Sequence, residues 1–156
     1  MSKKKIKKIW QVYLIYFVIF SFAGFLIEYL FGIAQGRTTI PYDKIIYQFF
    51  GMKSIFIPFY GAGAVILIFL ENFFRKRKIK FALRGFLDGI IIIIIEFLGG
   101  LGGIFLFGEQ FWNYSGQAFN FLGIISLKMS FFWILTGYLF SIVYSKFIDK
   151  TIRQSF

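Results

Sequence analysis

A chain of 156 residues that is 58% hydrophobic, 24% aromatic and only 16% charged, with a mean hydropathy of +0.74, excludes a water-soluble single domain, because 25 Phe, 9 Tyr and 3 Trp exceed what a core of this size can hide. The absence of Cys and His removes disulfides, thiolate nucleophiles, imidazole bases and the commonest metal ligands, leaving carboxylate, Tyr and Lys for proton chemistry. The net charge of +11 would suggest nucleic acid in a soluble protein, but here it reads by position as contact with lipid headgroups.

The first element opens on Lys3, Lys4, Lys5, Lys7 and Lys8 and continues as an apolar run from Trp10 to Gly32, broken only by Gln11, Ser21 and Glu28. The run is too long for a signal peptide's apolar region and no small-residue cleavage site follows it, so an uncleaved membrane helix is expected. A second span is read over Ile55 to Phe74, ending in the basic segment Arg75, Lys76, Arg77, Lys78, Lys80 and Arg84. The third runs from Phe86 to Phe107, and the fourth from Met129 to about Phe147.

Lys and Arg divide unevenly among the segments between these spans. Fourteen fall at the two termini and in the 75–85 loop, against four in the loops 33–54 and 108–128. The positive-inside rule then predicts a multi-pass protein of the cell membrane with both termini cytoplasmic. The two outer loops carry Pro41, Tyr42, Tyr47, Phe49 and Phe50, and Phe107, Phe111, Trp112, Tyr114, Phe119 and Phe121. Such aromatic segments are expected to be interfacial or re-entrant, where protein or water can satisfy their backbone groups.

An internal repeat is legible. Glu28 set on Glu96 aligns Ile27, Glu28 and Gly32 with Ile95, Glu96 and Gly100, a shift of 68, and at a shift of 72 Gln48-Phe49-Phe50-Gly51 meets Asn120-Phe121-Leu122-Gly123 and Phe59 meets Phe131. Each half crosses outward and returns, so two parallel repeats of two helices, related by an axis along the membrane normal, are expected. The chain thus reads as one all-α membrane domain over 1–156, with repeats at 10–74 and 86–147 and a cytoplasmic basic loop at 75–85.

Glu28 and Glu96 are the sharpest chemical signal, because an ionisable group inside a span costs roughly 2.5 to 3.5 kcal/mol on insertion scales and faces a bundle interior or wet cavity. They would form a substrate or proton path, or else a structural hydrogen bond to a neighbouring helix. Gly24, Gly61 and Gly63 after Pro58, and Gly99 to Gly103 with its GxxxG spacing, read as helix-packing and turn positions; a helix broken at these glycines, exposing carbonyls to a solute, is the sharper alternative. Asp88 lies one turn beyond Arg84, where a local i,i+4 ion pair is expected. No phosphate-binding GxxxxGK[ST] loop occurs, and no cofactor site, metal site or enzymatic activity is expected.

The stretches IPFYGAG (Ile57 to Gly63) and FWNYSGQAFNFLGIISL (Phe111 to Leu127), with Glu28, Glu96 and Trp133, resemble the putative ABC-transporter type IV membrane protein family over roughly residues 10–145. The matching positions are Glu28, Pro58, Tyr60, Gly61, Glu96, Trp112, Tyr114, Ser115, Phe119, Asn120, Gly123 and Trp133; Asn113 stands where the family pattern has Asp. The resemblance implies a permease component of a transport system, with a separate cytoplasmic ATPase. In that reading Glu28 and Glu96 line the path, and Tyr60, Trp112, Tyr114 and Asn120 build an external gate. Membrane lipids and either a second copy of the chain or another membrane subunit are the remaining expected partners. A proton-coupled small carrier and a non-transport interaction or sensor subunit are the alternatives.

Overall fold

The computed structural model describes residues 3–34 and 57–154. The first outer loop of the sequence reading, with Gly51 and the aromatic residues 42–50, lies outside the described residues. Packing divides the chain into two compact units, Met1–Ile66 with Thr151–Phe156, and Leu67–Lys150.

In the first unit, helix α1 spans Lys3–Ala34. Its apolar stretch Ile9–Leu30 has a mean hydropathy of 1.9 and is long enough to cross a membrane. Helix α2 spans Pro58–Lys76 and begins on its proline, whose fixed φ and missing N–H suit the first helical turn. The Ile57 N–H donates to the Ser21 carbonyl at 3.2 Å, fastening the entry of α2 to α1. Gly61 permits this approach, since a Cβ there would strike the Ser21 side chain and the Phe17 carbonyl.

The second unit takes the remainder of α2, then a short turn through Lys78 (φ 55) into helix α3, Phe81–Phe107. Gly108, at φ 68, ends α3 in the left-handed conformation that glycine adopts without strain. A two-stranded antiparallel hairpin follows, β1 (Asn120–Phe121) and β2 (Ile125–Ser126), with Asn120 opposite Ser126 and Phe121 opposite Ile125. Ser126 then caps helix α4 (Leu127–Val143), its hydroxyl accepting from the Met129 N–H. A π-helical turn, Tyr144–Ile148, carries α4 without a break into α5, Asp149–Arg153.

Phe81–Phe107 and Leu127–Arg153 are also long and apolar enough to cross a membrane, with mean hydropathies of 2.6 and 1.5, and with α1 they make this a multi-pass membrane protein. Helix α2 is not one of these three, because Glu71, Asn72, Arg75 and Lys76 fill its last turns. Helices α3 and α4 pack along each other, and their closest approach is at Gly137, where a Cβ would fall on the backbone of Gly85 and Gly89. The small-residue seam of the helix pair is therefore Gly85–Gly89, a pair that the sequence reading did not single out. Helix α3 also runs unbroken through Gly99, Gly100, Gly102 and Gly103, so no carbonyls are freed there by a broken helix.

Candidate functional site

Each carboxylate singled out in the sequence is gripped by aromatic donors. Glu28, near the end of α1, accepts a 2.7 Å hydrogen bond from the Tyr60 hydroxyl in the first turn of α2. Gly24 makes room for that tyrosine, since a Cβ would overlap its ring. Pro58 and Gly61 thus serve Tyr60 by fixing where α2 begins and how closely it lies on α1. Gly63 plays no such part, because a Cβ there would meet nothing.

Glu96, deep in α3 and 5% exposed, is held from two sides. The Trp133 indole N–H of α4 donates to Oε2 at 2.5 Å, and the Tyr114 hydroxyl donates to Oε1 at 2.9 Å. A membrane-spanning helix is thereby fastened both to its neighbour and to the loop beyond its end. The donors are neutral, and neither removes the charge or the proton of the carboxyl group.

The segment between α3 and α4 is folded by its own side chains. The Trp112 indole donates to the Ile124 carbonyl at 2.9 Å. Asn120 Nδ2 donates to the carbonyls of Gln117 and Ser115 at 2.9 and 3.2 Å, while its Oδ1 accepts from the Gly123 N–H at 3.2 Å. Gly123 takes φ 65 at the hairpin turn, and its carbonyl accepts from the Tyr114 N–H at 2.7 Å. Below the loop, Gly100 admits Ile124 and Trp112, and Gly103 admits Phe111 and the Glu109 backbone. Trp112 and Asn120 therefore hold the hairpin that carries Tyr114. Asn113 Oδ1 accepts from the Ser115 N–H at 2.8 Å and from the Ser115 hydroxyl, a task the amide oxygen performs as well as a carboxylate would.

A second polar cluster was not anticipated. Glu71, buried in α2, accepts from Arg84 Nη1 at 2.6 Å and from Ser141 at 2.5 Å. Ser141 Oγ also lies 2.9 Å from Asp88 Oδ2. Arg75 spreads its guanidinium over Asp149 at 2.7 Å and Ser145 at 2.6 Å, both reached at the π-helical turn. The local Arg84–Asp88 pair expected from sequence is replaced by a bridge from α3 to α2, because Glu71 lies across the interface and a buried carboxylate without a cation is far costlier. The signal for Glu71 was present: an ionisable residue and Asn72 within the stretch Ile55–Phe74, hidden by its nearness to the basic segment.

Comparison with curated proteins and with solved structures finds no match. The family model described as "Putative ABC-transporter type IV" matches residues 15–155, a stretch that takes in Glu28, Tyr60, Glu96, Tyr114 and Trp133. The chain belongs to this family.

Proposed function

We propose that the protein is the membrane permease component of a solute transport system, driven by a separate cytoplasmic ATPase and working as an oligomer or beside another membrane subunit. The observation that carries this reading is Glu96, an ionisable residue inside a membrane helix whose carboxylate ties that helix to both α4 and the aromatic loop. Intramembrane carboxylates of this kind mark solute and ion pathways. Tyr114, Trp112 and Asn120 then act as the outer gate, Glu96 as its latch, and Glu28 with Tyr60 as the counterpart in the first half.

The same reading takes α2 as a fourth crossing. Its 19 residues extend about 28 Å at 1.5 Å per residue, close to the hydrocarbon thickness, and Glu71 is buried. Both termini then lie in the cytoplasm. A duplicated architecture is supported by paired contacts. Under the sequence shifts, Ser21 corresponds to Gly89 and Gly61 to Trp133, and each pair meets at a helix crossing. Each Glu also takes its donor from the start of the returning helix, Tyr60 in one case and Trp133 in the other.

The test is comparative solute uptake. Cells lacking the protein are complemented with the wild-type chain or with Glu96→Gln, and their solute content is surveyed by mass spectrometry while an ATP-binding protein is sought by cross-linking. A solute whose accumulation returns with wild type and not with Glu96→Gln is the expected outcome. No difference in any solute, with no ATP-binding partner captured, would overturn it. Uptake abolished by a protonophore with ATP intact would instead select the proton-coupled carrier, favoured by the neutral donors Trp133 and Tyr114 at Glu96.

A further inference from the structure

The Glu71–Ser141–Asp88 triad lies apart from the carboxylates assigned to the path above, and its hydrogen atoms do not add up. Ser141 Oγ is within hydrogen-bond distance of two carboxyl groups, Glu71 Oε1 at 2.5 Å and Asp88 Oδ2 at 2.9 Å. A hydroxyl carries a single proton, so it can donate to one of them only. The other contact is a hydrogen bond only if that carboxyl group brings its own proton. All three residues are fully buried.

Two further observations place this proton on Asp88. Glu71 already accepts from Arg84 and lies 3.6 Å from Arg75 Nε, so it is the anion of the pair. Asp88 Oδ1 is buried with no hydrogen-bond partner, a condition far cheaper for the carbonyl oxygen of a neutral acid than for a carboxylate. The charges agree. Arg75 pairs with Asp149 at 2.7 Å, so the fully buried Glu71 and Asp88 share Arg84, and one proton cancels the second of their two charges. From the continuation of α4, Tyr144 sets its neutral ring beneath Arg75 at 5.3 Å and donates its hydroxyl to Asn72 at 2.7 Å.

Arg84 Nε is likewise buried and without a hydrogen-bond partner, and Arg84 stands one helical turn before Asp88 on α3. We propose that Glu71, Ser141 and Asp88 form a proton-binding site, and that release of the proton to solvent transfers the Arg84 guanidinium from Glu71 to Asp88, unfastening α2 from α3. In the proton-loaded state Asp88 donates to Ser141, Ser141 donates to Glu71, and Glu71 holds Arg84 across the interface. When Asp88 becomes an anion it offers Arg84 a partner on its own helix at i,i+4, and the bridge between helices loses its cation.

The full chain in lipid nanodiscs tests this. The infrared spectrum of the wild type contains the carbonyl stretch of a protonated carboxylic acid. That band is lost in Asp88→Asn and moves in Ser141→Ala, where the acid loses its acceptor. Asp88→Asn, the shape of the neutral acid, unfolds within a few degrees of wild type, whereas Glu71→Gln unfolds well below it. Spin labels at Phe73→Cys and Phe86→Cys, both exposed positions, report a separation that grows with pH in the otherwise wild-type chain and stays constant once Asp88→Asn is added. Failure of Asp88→Asn to fold, an acid band undiminished in it and unmoved in Ser141→Ala, or a label separation indifferent to pH would each overturn the proposal. So would stabilisation by sodium ions that Asp88→Asn abolishes, which would assign a metal cation in place of the proton.

Discussion

Trp133 reaches Glu96 across the α3–α4 interface, its indole N–H 2.5 Å from Oε2, so the helix pair itself occupies one side of the carboxylate. The other oxygen accepts from Tyr114. One grip on the carboxylate thus comes from the helix pair and the other from the loop between them.

Glu96→Gln is accordingly less conservative than its shape suggests. A glutamine offers one oxygen and one NH2 group, so its oxygen must face the Trp133 indole, which only donates, and its NH2 must face Tyr114, whose hydroxyl has to turn from donor to acceptor. The single variant should lose about 1 to 3 kcal/mol of stability, and Trp133→Phe about as much. Combined, they should cost less than the sum, since both act on the same Trp133–Glu96 hydrogen bond. Denaturant unfolding in mild detergent measures the coupling, and strictly additive losses would dissociate Trp133 from Glu96.

Tyr60→Phe removes only the hydroxyl that reaches Glu28 and should cost about 1 kcal/mol. Gly24→Ala should cost more, because its methyl group must displace the whole Tyr60 ring. The ranking is checked by thermal unfolding of both variants; a milder Gly24→Ala would mean that α2 can shift on α1 without loss.

The glycines sort into two groups. Gly137→Ala and Gly89→Ala push apart helix backbones already in contact, and each should lower the yield of folded protein severely. Gly63→Ala and Gly102→Ala meet open space and should be neutral or stabilising by about 0.5 to 1 kcal/mol through reduced backbone freedom. Folded yield by size-exclusion chromatography separates the groups.

Gly123→Ala places a side chain at φ 65 and should cost about 1 to 2 kcal/mol, loosening the hairpin and with it the carbonyl that accepts from Tyr114. Proteolysis between residues 110 and 126 should accelerate while α3 and α4 stay intact. Asn113→Asp should leave the cleavage rate unchanged, whereas Asn113→Ala, which removes the acceptor for Ser115, should raise it.

Hydropathy and charge made the membrane class and the helix order readable, and the cost of an intramembrane carboxylate made Glu28 and Glu96 readable as well. Tyr60 and Tyr114 were within reach because they sit in the matching family motifs. What could not be read is which residue faces which across an interface. Gly85–Gly89 and Gly99–Gly103 carry the same spacing, and only the path of α4 decides that the first pair meets Gly137. Arg84 has an acid one turn ahead on its own helix, yet its partner is Glu71, because long-range burial outweighs a local pair worth only a few tenths of a kcal/mol. Nor could it be read that Trp112 and Asn120 hold the hairpin that carries Tyr114, because those bonds depend on hairpin geometry.

The π-helical turn has a consequence for the length of the chain. Four-residue steps in an α-helix overshoot a full turn by about 40° each, so a row of residues so spaced would spiral off the buried face. Tyr144, Ile148 and Ile152 are so spaced and all are buried, while Ser141, Ser145 and Asp149 repeat the same interval beside them. The wide turn from Tyr144, whose carbonyl accepts from the Asp149 N–H five residues on, absorbs the overshoot. Excising the exposed Phe147 would close the wide turn into an ordinary α-helical one and leave Asp149 facing Arg75, whereas a deletion in the α-helical turns before it would rotate everything beyond the cut by about 100°. The tail is thus a counted segment, tolerant of a single-residue deletion within the wide turn and intolerant of one just before it, a difference that a hydropathy plot would not register.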